Sequence, residues 1–161
     1  MNKQQLAAKI WDAANKMRSK IEANDYKDYI LGFIFYRFLS EKQLQYLKDN
    51  GYEDDEIMEL DEDDIDNMEY IRGNLGYFIA YRNLYTTWVS GEVDFDVTDV
   101  RDALNAFERL LVDKYKRVYS GIFDTLQIGL SKLGENAGKQ TKAIRDLLAL
   151  IKDIPMDGKQ D

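Results

Sequence analysis

The chain has 161 residues, with 22 lysines and arginines against 30 aspartates and glutamates, and no cysteine or histidine. That composition excludes disulfides, zinc–thiolate centres, cysteine nucleophiles and Ser–His triads, and it removes the commonest general base and metal ligand. A net charge of −8 gives no reason to expect nucleic acid, while a single proline and 45% apolar residues point to one helix-rich globular domain.

Residues 3–22 read as an amphipathic helix, because Leu6, Ile10, Ala13, Met17 and Ile21 recur at helical spacing. Lys9, Lys16 and Lys20 form a basic stripe on another face. Asn24 and Asp25 are expected to break this helix and cap the next. That second helix is predicted from about Tyr26 to Asn50. Ile30, Phe33, Ile34, Phe38 and Leu39 are apolar at helical spacing, and Tyr29, Leu31, Phe35 and Tyr36 make the helix apolar nearly all round, which is the pattern of a central core helix. The Tyr26, Tyr29, Phe33, Phe35 and Tyr36 cluster reads as core in preference to a base-stacking platform. Gly32 allows a neighbouring helix to approach closely, and Gly51 marks the C-terminal end.

An acidic region follows, with a short helix expected at DEIMEL. GYFIAYRNLYTTWVSG is aromatic and β-branched, so a strand or an extended segment is predicted there. A third helix capped by Thr98 or Asp99 would carry Val100, Leu104, Phe107 and Leu111 on one stripe. A last helix is predicted over about Lys139–Asp153, with Ile144, Leu147, Leu148 and Ile151 inward. The fold class expected is mainly α: a helical bundle with at most a short strand or hairpin around residues 75–90. No stretch approaches the roughly 20 apolar residues of a membrane span and no signal peptide is apparent, so the expected location is cytoplasmic.

The charge is unevenly placed. Eleven acids lie between Glu53 and Glu69 with no lysine or arginine among them; without them, 19 acids face 22 bases, a remainder of +3. Residues 1–50 and 114–152 are both basic. Charge by segment is therefore more informative than the total. The acidic run, about residues 52–70, reads as a solvated loop. The other reading is a DNA-mimicking or repelling element.

Several catalytic patterns fail. GENAGKQT (Gly134–Thr141) has three residues between its glycines where a phosphate loop needs four, and Gln140 follows the lysine. DEDDIDNMEYIR (Asp61–Arg72) places Asp66 and Arg72 where a calcium loop needs Gly and Glu. There is no nucleophile elbow and no dinucleotide fingerprint. No catalytic, cofactor-binding or metal-ligating residue is assigned.

Residues 6–42 carry a more specific pattern: Trp11, Ala14, Met17 and Arg18, then Tyr26, Lys27, Ile30, Leu31, Phe35, Arg37, Leu39 and Ser40. They resemble the N-terminal domain of the methyltransferase (modification, HsdM) subunit of type I restriction-modification systems. Met17 departs mildly from the family's usual leucine. GYFI near Gly76, Trp88, Gly121–Phe123 and the final helix extend the likeness over most of the chain.

The resemblance implies that residues 1–161 are the N-terminal helical domain of a longer subunit, with its methyltransferase domain following residue 161. The family's catalytic motif needs two consecutive prolines, which this chain lacks. The parent subunit would use S-adenosylmethionine to methylate the N6 amine of adenine. Its partners would be double-stranded DNA, a specificity subunit, a restriction subunit and a second modification subunit. On that basis Lys16, Arg18, Lys20 and Lys27 form one candidate DNA-contacting group, and Lys139, Lys142 and Arg145 a second. Arg18 could instead cap a helix or pair with Asp25, and Trp11 could serve core or partner. The alternative reading is a free-standing helical adaptor that binds only protein.

Overall fold

The computed structural model describes Gln5, Ala8, residues 23–91 and residues 93–154. Apart from Gln5 and Ala8, which are helical and exposed, the predicted first helix lies outside the described residues.

The core is organised on α1 (Ala23–Asp49). Ile30, Phe33, Tyr36 and Leu39 have no solvent exposure, and α4, α7 and α8 (Tyr85–Ser90, Asp124–Gly129 and Ala137–Lys152) all pack on this one helix. The expected break at Asn24–Asp25 is absent, since both are helical. Each costs at most about 0.7 kcal/mol inside a helix, which a long and well-packed helix absorbs. Gly32 faces Leu126: a Cβ there would sit 3.1 Å from the leucine's Cδ2. The helix ends at Gly51, whose φ of +83° is the left-handed conformation that favours glycine.

The acidic run is not a loop. It builds α2 (Asp54–Met58) and α3 (Ile65–Leu75). Ile57, Leu60, Met68 and Ile71 point inward and form a small second core with Leu47, Phe78 and Leu110. The acids line the outer surface of these helices. The run's charge obscured the apolar residues spaced through it.

The strand or extended segment expected over residues 76–91 does not form: residues 77–80 are irregular, with Ala80 extended, and most of the remainder is helical. A 3₁₀ turn (Tyr81–Asn83) and α4 follow. Side chains of α1 replace the missing sheet partner. Gln43, fully buried, donates from Nε2 to the Ile79 carbonyl at 2.7 Å and accepts from the Ile79 N–H at 2.9 Å. Ser40 Oγ accepts from the Tyr85 N–H, and the Tyr36 hydroxyl donates to the Asn83 carbonyl. A buried backbone group needs a partner, and here helix side chains supply it.

α5 (Val97–Arg109) carries the predicted apolar stripe, but its cap is Asp96: the Asp96 carboxylate accepts from the Asp99 N–H, and Asp99 reaches back to the Asp96 N–H. Asp99 thus takes the third-residue role of a capping box. α6 (Asp113–Tyr119), α7, a 3₁₀ turn (Leu130–Leu133) and α8 complete the bundle, and α5 packs on α8. Asn136 caps α8 by accepting from the Lys139 N–H. Among the described residues there is no strand, and no helix is long and apolar enough to cross a membrane.

Gly76 ends α3 with φ +94°, and a Cβ there would lie 2.4 Å from the Tyr115 ring. Gly51 shares the positive φ but has open space around it. Gly76→Ala should therefore cost about 2–3 kcal/mol, backbone strain plus a clash, and Gly51→Ala about 1 kcal/mol. Thermal melts followed by circular dichroism should separate the two variants by several degrees.

Candidate nucleic-acid interface

The structure places the second predicted group on one helix. Lys139, Lys142 and Arg145 recur every three residues along α8, each exposed, and each meets a carboxylate. Lys139 Nζ lies 3.3 Å from Glu135, Lys142 Nζ lies 3.1 Å from Asp146, and Arg145 Nη2 lies 2.7 Å from Asp94. The two lysine pairs are within a turn of one another and solvent-exposed, so a phosphate displaces them at little cost. Arg145 is different. It also donates to the Phe95 carbonyl at 2.8 Å and lies over the Phe95 ring at 5.0 Å. Its guanidinium fastens the segment before α5 to α8.

Lys27 of the first group is exposed near the start of α1. Lys16, Arg18, Lys20 and Trp11 lie outside the described residues. The fold brings the start of α1 to Lys132, a residue outside both predicted groups. The Tyr29 hydroxyl donates to the Gly129 carbonyl, tying the start of α1 to the end of α7. Asp28, Tyr29 and Lys132 line one small cleft there. Gln140 Nε2 donates to the Ser131 and Gly134 carbonyls, which joins the start of α8 to the same turn. Lys132 and Lys139 thus lie at the end of the bundle where α1 begins with Lys27, together with Asp28 of the same cleft and Glu135, the partner of Lys139. Lys132 belonged to the basic block 114–152, but only the 3₁₀ turn over Leu130–Leu133 sets it beside α1.

The acids of α2 and α3 sit at the other end. The second core that carries α2 and α3 is anchored on Leu47, twenty residues along α1 from Lys27. At 1.5 Å per residue that separates the two charge blocks by roughly 30 Å. Two arginines draw part of the acidic block onto the body of the domain, Arg82 pairing with Asp61 and Arg109 with Glu62, and Arg72 of α3 donates to the Leu110 and Leu111 carbonyls. The Glu62 hydrogen bond holds the Arg109 guanidinium more firmly protonated than usual.

The groups whose protonation burial disturbs most are tyrosines of the core. Tyr36, Tyr77 and Tyr85 are held above the ordinary phenol range by burial, and each donates to a backbone carbonyl. That is a packing role. Among the described residues no three acidic side chains converge in a way that could hold a metal ion.

A family model described as the HsdM N-terminal domain matches residues 6–151. A methylase subunit of the type I restriction enzyme MpnII from Mycoplasma pneumoniae is 25% identical over 92% of this chain, which covers 30% of that protein. A crystal structure of a type I restriction-modification methyltransferase subunit from Streptococcus thermophilus superposes with a TM-score of 0.75 at 25% identity, over 97% of this chain and 35% of that one. The chain spans about a third of the length of these relatives, and it belongs to the HsdM N-terminal domain family.

Proposed function

We propose that this domain grips duplex DNA through its phosphates and contacts partner subunits within a type I restriction-modification DNA methyltransferase. What supports the reading is where the charges lie along α1: the acids of α2 and α3 collect at one end, and Lys27, Lys132 and Lys139 lie some 30 Å away, interspersed with Asp28 and Glu135. A duplex is repelled by the first and attracted to the second, which gives the domain a fixed orientation on DNA. Lys142 adds to this group along α8, and Lys16, Arg18 and Lys20, which lie outside the described residues, are proposed to contribute as well. Lysines contribute sequence-independent affinity, so target choice would rest with a specificity subunit.

Chemistry belongs to the rest of the subunit in this reading: methyl transfer from S-adenosylmethionine to the N6 amine of adenine. The glycine-rich run of this chain does not fit that cofactor. A Cβ at Gly134 would lie 2.7 Å from Lys139 Cβ, so the turn is closed on its own helix. No step is assigned to these residues. Subunit contact is supported by an exposed apolar strip on α1, where Leu31 and Phe38 are 44% and 46% exposed one heptad apart. The specificity subunit, the restriction subunit and a second modification subunit are the partners proposed.

The test is the assembled complex carrying Lys27→Glu, Lys132→Glu and Lys139→Glu. DNA affinity at low salt should fall at least tenfold, and the slope of log affinity against log salt should drop by up to about 3, near one per lost phosphate contact. Unchanged affinity and slope would instead favour the adaptor that binds only protein.

A further inference from the structure

A cleft of about 300 Å³ lies between α4 and α8, beside the segment that precedes α5. From α8 it takes Arg145, Leu148, Ala149 and Lys152, spaced as neighbours on one helix face. Trp88 and Val89 of α4 and Phe95 complete the lining apart from Gly91. Its body is apolar and its charges are both positive, with no acid among the described residues that line it. Arg145 is held by Asp94 and the Phe95 carbonyl. Lys152 is exposed and forms no ion pair among the described residues.

Trp88 supplies a second, independent observation. It is 3% exposed, and its indole N–H is the one buried side-chain polar group without a hydrogen-bond partner among the described residues. The same core satisfies its tyrosines: Tyr36, Tyr77 and Tyr85 each donate to a carbonyl. Tyr36 stacks on the indole, with centroids 5.2 Å and planes 7° apart, and Phe95 leans on it at 5.6 Å. An indole N–H lies in the ring plane, so a partner reaches it from the ring's edge, and the cleft is the described opening that Trp88 lines. Indole donates and never accepts, so the missing partner is an acceptor. Beside Lys152 and Arg145 an anionic acceptor gains most. Gly91, on the rim, has φ +78° and nothing within 4 Å of a Cβ built on it, which leaves the rim room to yield to an entering group.

We propose that this cleft takes the C-terminal residue of a partner polypeptide: an aliphatic side chain rests on Val89, Leu148 and Ala149, its carboxylate accepts from the Trp88 N–H, and Lys152 supplies the opposite charge. One terminal residue carries both groups, which suits a cleft at the small end of the range of about 300–1,000 Å³ for ligand sites. The inference rests on the subunit-contact part of the proposed function and deepens it.

The probe is acetyl-Gly-Leu with a free carboxylate, titrated at low salt into the full ¹⁵N-labelled chain. The chain has two tryptophans, so Trp11→Phe leaves one indole signal to follow. The expected result is a saturable downfield shift of the Trp88 indole N–H, with a dissociation constant on the order of millimolar. Lys152→Gln, at an exposed position, should weaken it at least threefold, and acetyl-Gly-Leu-amide should leave the signal unmoved. The proposal is overturned if the signal stays fixed, if the amide shifts it equally, or if Lys152→Gln has no effect. It is overturned equally if inorganic phosphate or 4-methylpentanoate reproduces the shift at the same concentration, or if Asp157→Asn moves the signal without peptide, which would assign the cleft to this chain's own segment. Subunit contact itself is read separately, by sedimentation of the assembled complex carrying Leu31→Glu and Phe38→Glu. Loss of assembly there beside a fixed indole signal refutes the cleft and leaves the proposed function standing.

Discussion

Gln43→Leu should lower the melting temperature by roughly 5–20 °C. The side chain is fully buried and meets both polar groups of Ile79, 36 positions away. Leucine has a similar volume and no polar atom, so the exchange leaves a buried N–H and a buried C=O without partners. At about 1–3 kcal/mol each, the loss is about 2–6 kcal/mol, and a domain of this size loses about 2–4 °C per kcal/mol. Gln45→Leu, two residues on and exposed, removes only a surface hydrogen bond to Asp49 and should change stability by less than about 0.5 kcal/mol. Scanning calorimetry of the two variants decides the matter. A Gln43→Leu melt within 2 °C of the parent would show that Ile79 finds other partners and that the helix side chain is not what holds the segment 77–80.

Stability should be flat from about pH 6 to 9 and then collapse above pH 10. The chain has no histidine and no cysteine, so no side chain of ordinary pKa titrates near neutrality. Tyr36, Tyr77 and Tyr85 have folded pKa values above the unfolded value of 10, chiefly because burial disfavours the phenolate. Below pH 10 all three are protonated in both states, so they add no pH dependence. Above it the unfolded chain releases protons that the folded chain keeps, and unfolding gains free energy as pH rises. Tyr46 and Tyr52 are raised in the same direction, so five tyrosines give up to about 7 kcal/mol per pH unit, enough to exhaust a typical stability of about 5–15 kcal/mol within a few units. Tyr85→Phe, which gives up one hydroxyl bonded to Leu148, should reduce the alkaline slope by about a fifth. Urea unfolding at intervals from pH 6 to 12 measures both slopes. Equal slopes for parent and variant would remove Tyr85 from the account, and a fall between pH 6 and 8 would require a group that the composition does not contain.

The two predictions rest on different parts of the information in the chain. The absence of histidine and cysteine is a fact of composition. That Tyr36, Phe33 and Leu39 lie in a core follows from their spacing, because a helix apolar on every side has nowhere else to go. The α5 stripe and the stop at Gly51 were readable for the same reason: helical periodicity and capping act over three or four residues. Family membership was legible too, since residues 6–42 carry a dense local pattern.

The pairing of Gln43 with Ile79, of Ser40 with Tyr85 and of Tyr36 with Asn83 was not readable, since each joins positions 36 to 47 apart. A β-branched and aromatic stretch is equally content beside a strand or beside a helix that offers polar side chains, and only the contact decides between them. The acidic run misled for a related reason. Its charges suggested a solvated loop, while Ile57, Leu60, Met68 and Ile71 needed Leu47, Phe78 and Leu110 before they could form a core. Arg145 looked like a DNA contact by charge, and its neighbours Asp94 and Phe95, 51 and 50 positions earlier, give its guanidinium a structural task. Local order and composition came from the sequence alone. The placing of the acidic block some 30 Å along α1 from Lys27 and the recruitment of Lys132 to the start of α1 came from tertiary packing, because each depends on which distant surfaces the apolar faces bring together.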